Sequence, residues 1–216
     1  MPGQKNMPAM LELYLIRHGE TLFNKEERIQ GTLDSPLSEK GTQQCQAAGR
    51  ALSRKIGAKK IDEWLVSPQG RARQSSALIR SSLDGLPEET IEPDLREIDC
   101  GEAEGKIRTD LPAELLQSLH LDPHQRYPGG ESVADLVERG RILRERLFQL
   151  PEQGQIRKVV VSHGNFIRAL AAALIGMSPE FAIRISMGNT GICRLVLRPG
   201  DEHFKIMQWN DLSHLI

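Results

Sequence analysis

This sequence has few cysteines, almost no net charge and no long apolar run. The three cysteines, Cys45, Cys100 and Cys193, are odd in number and far apart, which argues against a disulfide framework and suits a reducing compartment. A cysteine-based phosphatase needs five residues between its thiolate and the arginine that closes the phosphate loop. Arg50 lies one position too close to Cys45, and Cys100 has Lys106 at the required place. We therefore interpret all three cysteines as packing residues.

Charge and hydropathy exclude two further classes of protein. Lys and Arg total 28 and Asp and Glu total 29, a formal net charge of −1, so the molecule as a whole does not attract nucleic acid or an acidic membrane. The longest apolar run, 169–175, is far below the roughly 20 residues that span a bilayer. Residues 1–10 lack the apolar core of a secretory signal. We expect a cytoplasmic protein without nucleic acid or membrane as partner, in which any anion site is built locally.

Strand and helix patterns alternate along the 216 residues, which predicts an α/β fold. Apolar runs predict strands over 11–16, 61–66, 90–92, 158–162, 192–197 and 204–209. Helical spacing predicts helices over 38–57, from Ser67-Pro68 onward, and over 110–126, 132–150 and 166–175. Ser38 is the predicted N-cap of the first helix and Gly57 its stop. We expect one domain over 1–216, a three-layer αβα sandwich with a mostly parallel central sheet and helices on both faces.

Two of the predicted strands end in a histidine that is followed by glycine. One ends in Arg17-His18 and another in His163. Arg71 or Arg73 and then Glu97 also follow predicted strands, and the carboxyl ends of parallel strands share one edge of a sheet. Two arginines, two histidines and one carboxylate at that edge predict an anion site with an acid beside it. The glycine turn after His18 and the helix after His163 are expected to add backbone N–H donors.

Four ordered blocks of the sequence are similar to the motifs of one family. They are Leu15–Thr21 with Asn24, Arg28–Gly31, Asp34–Leu37 and Gly41; then Ser67–Ser75; then Leu95–Glu97 with Gly101, Glu104 and Gly105; and last Val161–Gly164. Together they resemble the histidine phosphatase superfamily, which has the phosphoglycerate mutase-like fold. The resemblance covers about residues 11–165 and implies an enzyme of phosphoryl transfer.

The resemblance also implies a role for each residue of the predicted site. His18 would be the nucleophile that accepts the phosphoryl group and becomes phosphohistidine. Arg17, Arg71 and His163 would hold the phosphoryl oxygens, where the charge of phosphoryl transfer lies. Glu97 would protonate the leaving alkoxide and then activate water. Substrate contacts are implied for Asn24, Gln30, Gly31 and Gly164.

Nucleophilic attack requires that His18 be neutral. Two guanidinium groups nearby disfavour a further cation. A backbone carbonyl that accepts a proton from one ring nitrogen leaves the other nitrogen free to attack. The sequence therefore predicts a neutral imidazole that is oriented by its own backbone surroundings.

Other basic residues have no predicted role in the chemistry. Arg73 lies two positions beyond Arg71, on another helix face, and is predicted to face solvent. His120 and His124 have the i, i+4 spacing of a metal pair, but Pro123 interrupts the helix and no acidic or cysteine cluster completes a site. We predict that the protein uses neither a metal nor a cofactor.

The family resemblance alone covers both hydrolases and isomerases. Mutases of the family carry a longer insertion before the last histidine, with an adjacent arginine pair, whereas 97–163 contains no Arg-Arg. We favour a metal-independent phosphomonoesterase, with a cofactor-dependent phosphoglycerate mutase-type isomerase as the alternative. A module that only binds phosphorylated ligands is the third hypothesis, although His18 and Glu97, whose loss would indicate it, are both present.

Substrate choice is expected to lie in an excursion over 102–130 that covers the site. Its polar side chains are Lys106, Arg108, His120, His124, Arg126 and Tyr127. They suit a small phosphorylated metabolite such as a sugar phosphate, a phosphoglycerate or a nucleoside-type phosphate. Cys100 and Ala103 stand where family members often carry an aromatic residue, which leaves the substrate open. The sequence is compatible with a monomer or a homodimer.

Overall fold

A six-stranded sheet lies at the centre of the computed structural model, which describes residues 8–57 and 59–216. The strands are β1 (Met10–Arg17), β2 (Glu63–Val66), β3 (Glu89–Ile91), β4 (Gln155–Ser162), β5 (Ile192–Leu197) and β6 (Lys205–Asp211). Their order across the sheet is β3-β2-β4-β1-β5-β6. The first four run parallel to one another, β5 is antiparallel to β1, and β6 is antiparallel to β5. The predicted mostly parallel sheet is confirmed.

Alternate side chains of β1 enter two different hydrophobic cores. Leu11, Leu13 and Leu15 pack on one face of the sheet, and Tyr14 and Ile16 pack on the other. Successive side chains of a strand point to opposite faces, so a strand that is apolar on both needs cover on both sides. The central position of β1, between β4 and β5, follows from this pattern.

Helices supply that cover. They are α1 (Leu22–Lys25), α2 (Glu39–Ile56), α3 (Gly70–Arg80), α4 (Ala113–Leu121), α5 (Val133–Leu147), α6 (Gly164–Leu174) and α7 (Pro179–Arg184). Cys45 and Leu52 of α2 join Ile79 of α3 in the core on one face. Leu136 of α5 and Leu170 of α6 belong to the core on the other face. The predicted three-layer αβα sandwich is therefore confirmed.

Side-chain caps fix the ends of the two long helices. Ser38 Oγ accepts a hydrogen bond from the Gly41 amide at 3.0 Å, and Gly57, with a φ of 59°, ends α2 as predicted. In α5, the Ser132 hydroxyl accepts from the Asp135 amide while the Asp135 carboxylate accepts from the Ser132 amide. Each cap satisfies backbone donors that have no partner within the helix.

The predicted start of α3 is wrong. The helix begins at Gly70 rather than at Ser67-Pro68. Its first backbone N–H groups, those of Gly70 and Arg71, donate to the carboxylate of Asp34, which comes from a distant loop. A cap supplied by a tertiary contact leaves no local signal at the start of the helix.

Several smaller differences separate the predicted elements from the observed ones. The sequence did not predict α1 and α7, because four and six residues are too short for apolar periodicity to be recognised. Helix α6 begins two residues before the predicted 166, and a 3₁₀ turn over Gly101–Ala103 has no counterpart among the predicted elements. The helix predicted over 110–126 forms only as α4.

The excursion over 102–130 is attached to the loop that follows β1. An isolated β-bridge pairs Arg28 with Ile107, and the excursion continues through the 3₁₀ turn Arg108–Asp110 into α4. Within the two described ranges, no helix combines the length and the apolar character needed to cross a bilayer. The expectation about a secretory signal rests mainly on residues 1–7, which lie outside the described residues.

Candidate active site

The carboxyl ends of β1, β2 and β4 meet at one edge of the sheet, as the sequence predicts. A cavity of about 360 Å³ opens there. Seven of the predicted site residues line it: Arg17, His18, Asn24, Gln30, Gly31, Arg71 and Glu97. His163 lies against His18, with ring centroids 5.2 Å apart. Gly164 packs on Arg17 so closely that a Cβ there would lie 3.2 Å from Arg17 Nε.

His18 is oriented by the backbone of the next residue. It is 2% exposed, and its Nδ1 lies 2.7 Å from the carbonyl oxygen of Gly19. Burial, with the charges of Arg17 and Arg71, holds the pKa of His18 well below its ordinary value. A neutral ring that donates from Nδ1 to this carbonyl has its lone pair on Nε2, the atom that a substrate can reach.

His163 is fully buried and lies directly behind the cavity, against the ring of His18. Its Nε2 lies 2.7 Å from Ser67 Oγ, which accepts from the Gln69 amide at 3.4 Å. The Ser67 proton is thus available for Nε2, and we assign the ring proton to Nδ1. Burial, together with Arg71 and the neighbouring His18, lowers the pKa of His163 well below its ordinary value. The neutral ring then offers one N–H at Nδ1, which has no hydrogen-bond partner among the described residues.

Backbone carbonyls hold the two arginines in place. Arg71 donates from Nη1 to Leu33 O at 2.7 Å and from Nη2 to Gly31 O at 2.9 Å. Arg17 donates from Nη1 to Met187 O at 2.6 Å. Burial lowers the pKa of Arg17 to about 10, so both guanidinium groups remain cations near neutral pH.

Three buried N–H donors at this site have no partner within the described chain. They belong to Arg17 Nε, Arg71 Nε and His163 Nδ1. Buried polar groups in folded proteins are almost always hydrogen-bonded, because an unpaired one costs about 1–3 kcal/mol. Arg17 and Arg71 line the cavity and His163 lies against His18, so these three donors are suited to the oxygens of a bound anion.

The Glu97 carboxylate is held by backbone N–H groups. It accepts from Ile98 at 3.0 Å, from Asn165 at 3.2 Å and from Phe166 at 3.1 Å. It makes no ion pair with the adjacent Arg96, which pairs with Glu131 at 3.1 Å. Glu97 therefore faces the cavity in a fixed orientation.

Three of the backbone donors expected at the site have partners within the protein. The sequence suggested that the glycine turn and the first amides of α6 face the anion. The Gly19 amide instead donates to Ser75 Oγ at 3.0 Å, and the amides of Asn165 and Phe166 are taken by Glu97. These amides are therefore engaged within the protein, and Arg17, Arg71 and His163 supply the candidate donors for an anion.

The excursion contributes only part of what the sequence predicted. Arg108 and Tyr127 line the cavity, whereas Lys106 and His124 do not. Arg126 pairs with Asp135 at 2.6 Å. His120 lines a neighbouring cavity of about 180 Å³. As predicted, Arg73 is exposed.

Sequence reasoning missed two groups of residues near the site. Asn165 and Arg168 of α6 lie at the cavity and beside it; they are the only polar side chains of an otherwise apolar helix, a signal that could have found them. Asn189 donates from Nδ2 to His18 O at 3.1 Å and to Asn24 Oδ1 at 3.3 Å. Asn189 lies in the loop between α7 and β5, and no local sequence pattern marks that loop as part of a site.

The chain is thus an α/β protein with a positively charged pocket at the carboxyl ends of its parallel strands. The pocket contains two arginines beside a pair of histidines and is suited to an anion. A family model of the histidine phosphatase superfamily (branch 1) matches residues 13–212. The chain therefore belongs to the histidine phosphatase superfamily, whose members are enzymes, phosphatases or mutases.

Among the similar proteins, some are named as mutases and others as phosphatases. A protein of Erwinia tasmaniensis named "Probable phosphoglycerate mutase GpmB" is 33% identical over 190 residues, 86% of this chain and 85% of the relative. The structure of a mycobacterial glucosyl-3-phosphoglycerate phosphatase is similar with a TM-score of 0.79 and 29% identity, covering 93% of this chain and 99% of that one. Phosphoserine phosphatase of Entamoeba histolytica, in complex with 3-phosphoglyceric acid, has a TM-score of 0.77 and 27% identity, covering 95% and 100%.

Proposed function

We propose that this protein is a metal-independent phosphomonoesterase that hydrolyses a small phosphorylated metabolite through a phosphohistidine on His18. One observation carries the proposal: a buried, neutral His18 with a free Nε2 lies beside three N–H donors that have no partner among the described residues. Phosphoryl transfer needs a nucleophile in line with the leaving group and cations on the equatorial oxygens. Arg17, Arg71 and His163 are suited to hold those oxygens.

The reaction proceeds in two displacements. His18 Nε2 attacks phosphorus, the bond from phosphorus to the ester oxygen breaks, and the leaving oxygen takes a proton from Glu97, which enters this step as the carboxylic acid and leaves it as the carboxylate. The positive charge that develops on the imidazole is stabilised by the Nδ1–H hydrogen bond to Gly19 O. Water then gives its proton to the Glu97 carboxylate and attacks phosphorus. The phosphorus–Nε2 bond breaks, and inorganic phosphate and neutral His18 result.

Access of water favours hydrolysis over isomerisation. Glu27 and Arg108 line the cavity and are exposed, so solvent reaches the space above His18. A mutase must keep its phosphohistidine from water until the second hydroxyl attacks. The excursion over 102–130, which lacks an adjacent arginine pair, leaves the cavity accessible.

The isomerase alternative has its own support. The curated relatives that are 33–34% identical are named phosphoglycerate mutase, whereas the named structural neighbours are phosphatases of 27–29% identity. Both kinds of enzyme share the first displacement, so the fate of the phosphohistidine separates them.

Release of phosphate from p-nitrophenyl phosphate tests the nucleophile. We expect the parent protein to release phosphate in the presence of a chelator, and His18→Ala to be slower by about a thousandfold or more. Arg73→Gln, which removes an exposed cation from the same helix as Arg71, is the matched control and should keep the parent rate. Equal rates for the parent and His18→Ala would refute the assignment.

A second measurement decides between hydrolase and isomerase. The parent is supplied with 3-phosphoglycerate and its bisphosphate primer, and both isomerisation and phosphate release are followed. We expect phosphate release to dominate. Isomerisation that is faster than phosphate release would replace the phosphatase by the mutase alternative.

A further inference from the structure

Glu97 lies in a segment that has no regular secondary structure of its own. Strand β3 ends at Ile91, a 3₁₀ turn covers Pro93–Leu95, and residues 96–100 form neither helix nor strand. Buried backbone groups outside helices and sheets need partners from elsewhere in the fold. The position of Glu97 therefore depends on side chains that reach this segment from other elements.

Arg139 of α5 is one such side chain. Its Nη1 donates to Arg96 O at 2.7 Å and to Asp94 O at 3.0 Å, and its Nη2 lies 3.5 Å from Glu97 O. The Glu131 carboxylate, 3.2 Å from Nη2, is its charged partner, and the Arg139 side chain is only 10% exposed. One buried guanidinium group thus binds the backbone of the segment at several points.

The same guanidinium group also contacts the residue that holds the Glu97 carboxylate. Its Cζ lies 4.6 Å from the centre of the Phe166 ring, within the range of a cation–π interaction. The Phe166 amide donates to Glu97 at 3.1 Å. Arg139 therefore joins the backbone of Glu97 to an anchor of its carboxylate, so that a shift of either group would move the acid.

Arg139 reaches the reacting atoms only through these neighbours. It lines a surface cavity with Arg96, Glu131 and Ile142, whereas Glu97 lines the catalytic cavity. A general acid must lie about 2.6–3.2 Å from the oxygen that receives its proton, and a displacement of about 1 Å can slow a reaction about a hundredfold. The contacts of Arg139 are thus placed to control how well Glu97 transfers its proton.

We propose that Arg139 is a positioning residue for Glu97, and that its contacts with the 94–97 backbone and with Phe166 hold the acid within reach of the leaving oxygen. This inference rests on the proposed function and adds a residue that acts through the acid. Arginine is suited to this role, because its planar fork reaches several carbonyl groups at once while it stacks on an aromatic ring. Loss of the fork should weaken protonation of the leaving group and leave binding of the phosphoryl group intact.

A matched pair of aryl phosphates tests proton transfer separately from the rest of the reaction. p-Nitrophenolate is a weak base that can leave without a proton, whereas phenolate, as basic as tyrosinate with a pKa of about 10, leaves better with one. The quotient kcat/KM covers the steps up to cleavage of the ester bond and excludes the later hydrolysis of the phosphohistidine. We call kcat/KM for p-nitrophenyl phosphate divided by kcat/KM for phenyl phosphate the leaving-group ratio.

The leaving-group ratio should rise when Arg139 is replaced. In Arg139→Gln we expect kcat/KM for phenyl phosphate to fall about 10- to 100-fold, while kcat/KM for p-nitrophenyl phosphate stays near the parent value. Inhibition by inorganic phosphate, which reports anion binding beside His18, should not change. A general loss of structure would instead lower both kcat/KM values and weaken phosphate binding.

Two other arginines of α5 serve as controls. Arg146 pairs with Glu92 at 2.9 Å and with Asp94 at 2.7 Å, so Arg146→Gln removes contacts at the beginning of the same segment. Arg141→Gln changes an exposed side chain. Both variants should keep the parent's leaving-group ratio. Arg139→Lys, which keeps the charge but lacks the fork, should have an intermediate ratio, and it decides the question if Arg139→Gln is not folded.

Glu97→Gln separates this inference from the proposed function. A higher leaving-group ratio in Glu97→Gln, with the parent's ratio or an equal loss for both esters in the folded Arg139 variant, would overturn the positioning role alone. The parent's ratio in Glu97→Gln, or no phosphate release by the parent from either ester, would refute the proposed function and this inference with it. In Glu97→Gln/Arg139→Gln we expect the ratio of Glu97→Gln, because residues that act as a unit are not additive. A further rise in the double variant would show that Arg139 acts independently of the acid and would also overturn the inference.

Discussion

His18 is kept neutral by the same surroundings that make it useful. Desolvation and two arginines hold its pKa well below 6.5 in the folded protein, while in the unfolded chain it titrates normally. At pH values below 6.5 the unfolded state therefore binds a proton that the folded state does not. By linkage, this histidine makes the folded protein less stable as pH falls.

This linkage gives a prediction at the scale of one residue. A histidine that stays neutral in the folded state lowers the free energy of unfolding by about 1.2 kcal/mol between pH 7 and pH 5.5. Between pH 7 and pH 5.5, the free energy of unfolding of His18→Gln should therefore fall by about 1.2 kcal/mol less than that of the parent. Urea unfolding at both pH values measures the two differences. Ile79→Val, destabilised without loss of a titrating group, should keep the parent's decline. Identical declines in the parent and His18→Gln would contradict the neutral folded state.

At the scale of one element, α3 depends on a loop that is distant in sequence. Asp34 accepts from the first amides of the helix and pairs with Arg71 at 3.3 Å. The same carboxylate thus begins the helix and helps to position one of its cations. Since negative charge at a helix N-terminus is favourable, the cap also stabilises the helix dipole.

Removal of this cap should destabilise the protein. We expect Asp34→Ala to lower the free energy of unfolding by about 1–2 kcal/mol, the usual cost of a lost N-cap, as measured by urea unfolding. The matched control is Asp84→Ala, because the Asp84 side chain is exposed and makes no hydrogen bond or ion pair within the described ranges. An unchanged stability of Asp34→Ala would show that water replaces the cap without cost.

At the scale of the whole molecule, one buried carboxylate ties three central strands together. Glu12 of β1 is fully buried and accepts from Arg157 of β4 at 2.7 Å and from Arg194 of β5 at 2.5 Å. Burial opposes its ionisation, but the hydrogen bond and charge of Arg194, joined by Arg157, outweigh burial and lower the pKa of Glu12. This network lies about 20 Å from His18, six residues away along an extended strand.

Glu12→Gln should therefore separate stability from activity. We expect the free energy of unfolding to fall by about 3 kcal/mol, because two arginines lose their buried anion, while kcat for phosphate release stays at the parent value at a temperature where the variant is folded. Glu145→Gln changes an exposed carboxylate and should alter neither quantity. A loss of kcat without a loss of stability would place Glu12 in the chemistry instead.

Sequence patterns predicted most of this architecture because they reflect burial. The apolar run from Leu11 to Ile16 indicates a strand that is buried on both faces. Ser38 and Gly57 indicate where α2 begins and ends. The short α1 and α7 and the start of α3 escaped prediction, because their signals are either too brief or lie elsewhere in the chain.

By itself the sequence determined the α/β class, the strand ends that carry His18 and His163, and the superfamily, because these depend on local patterns and ordered motifs. Only the tertiary structure decided which donors remain free for an anion. It brought Glu97 onto the amides of α6, Asp34 onto α3, and Arg168 beside the catalytic cavity. Hydrogen bonds between distant segments leave no periodicity in the sequence, so the unpaired donors that mark the site become visible only when the chain is folded.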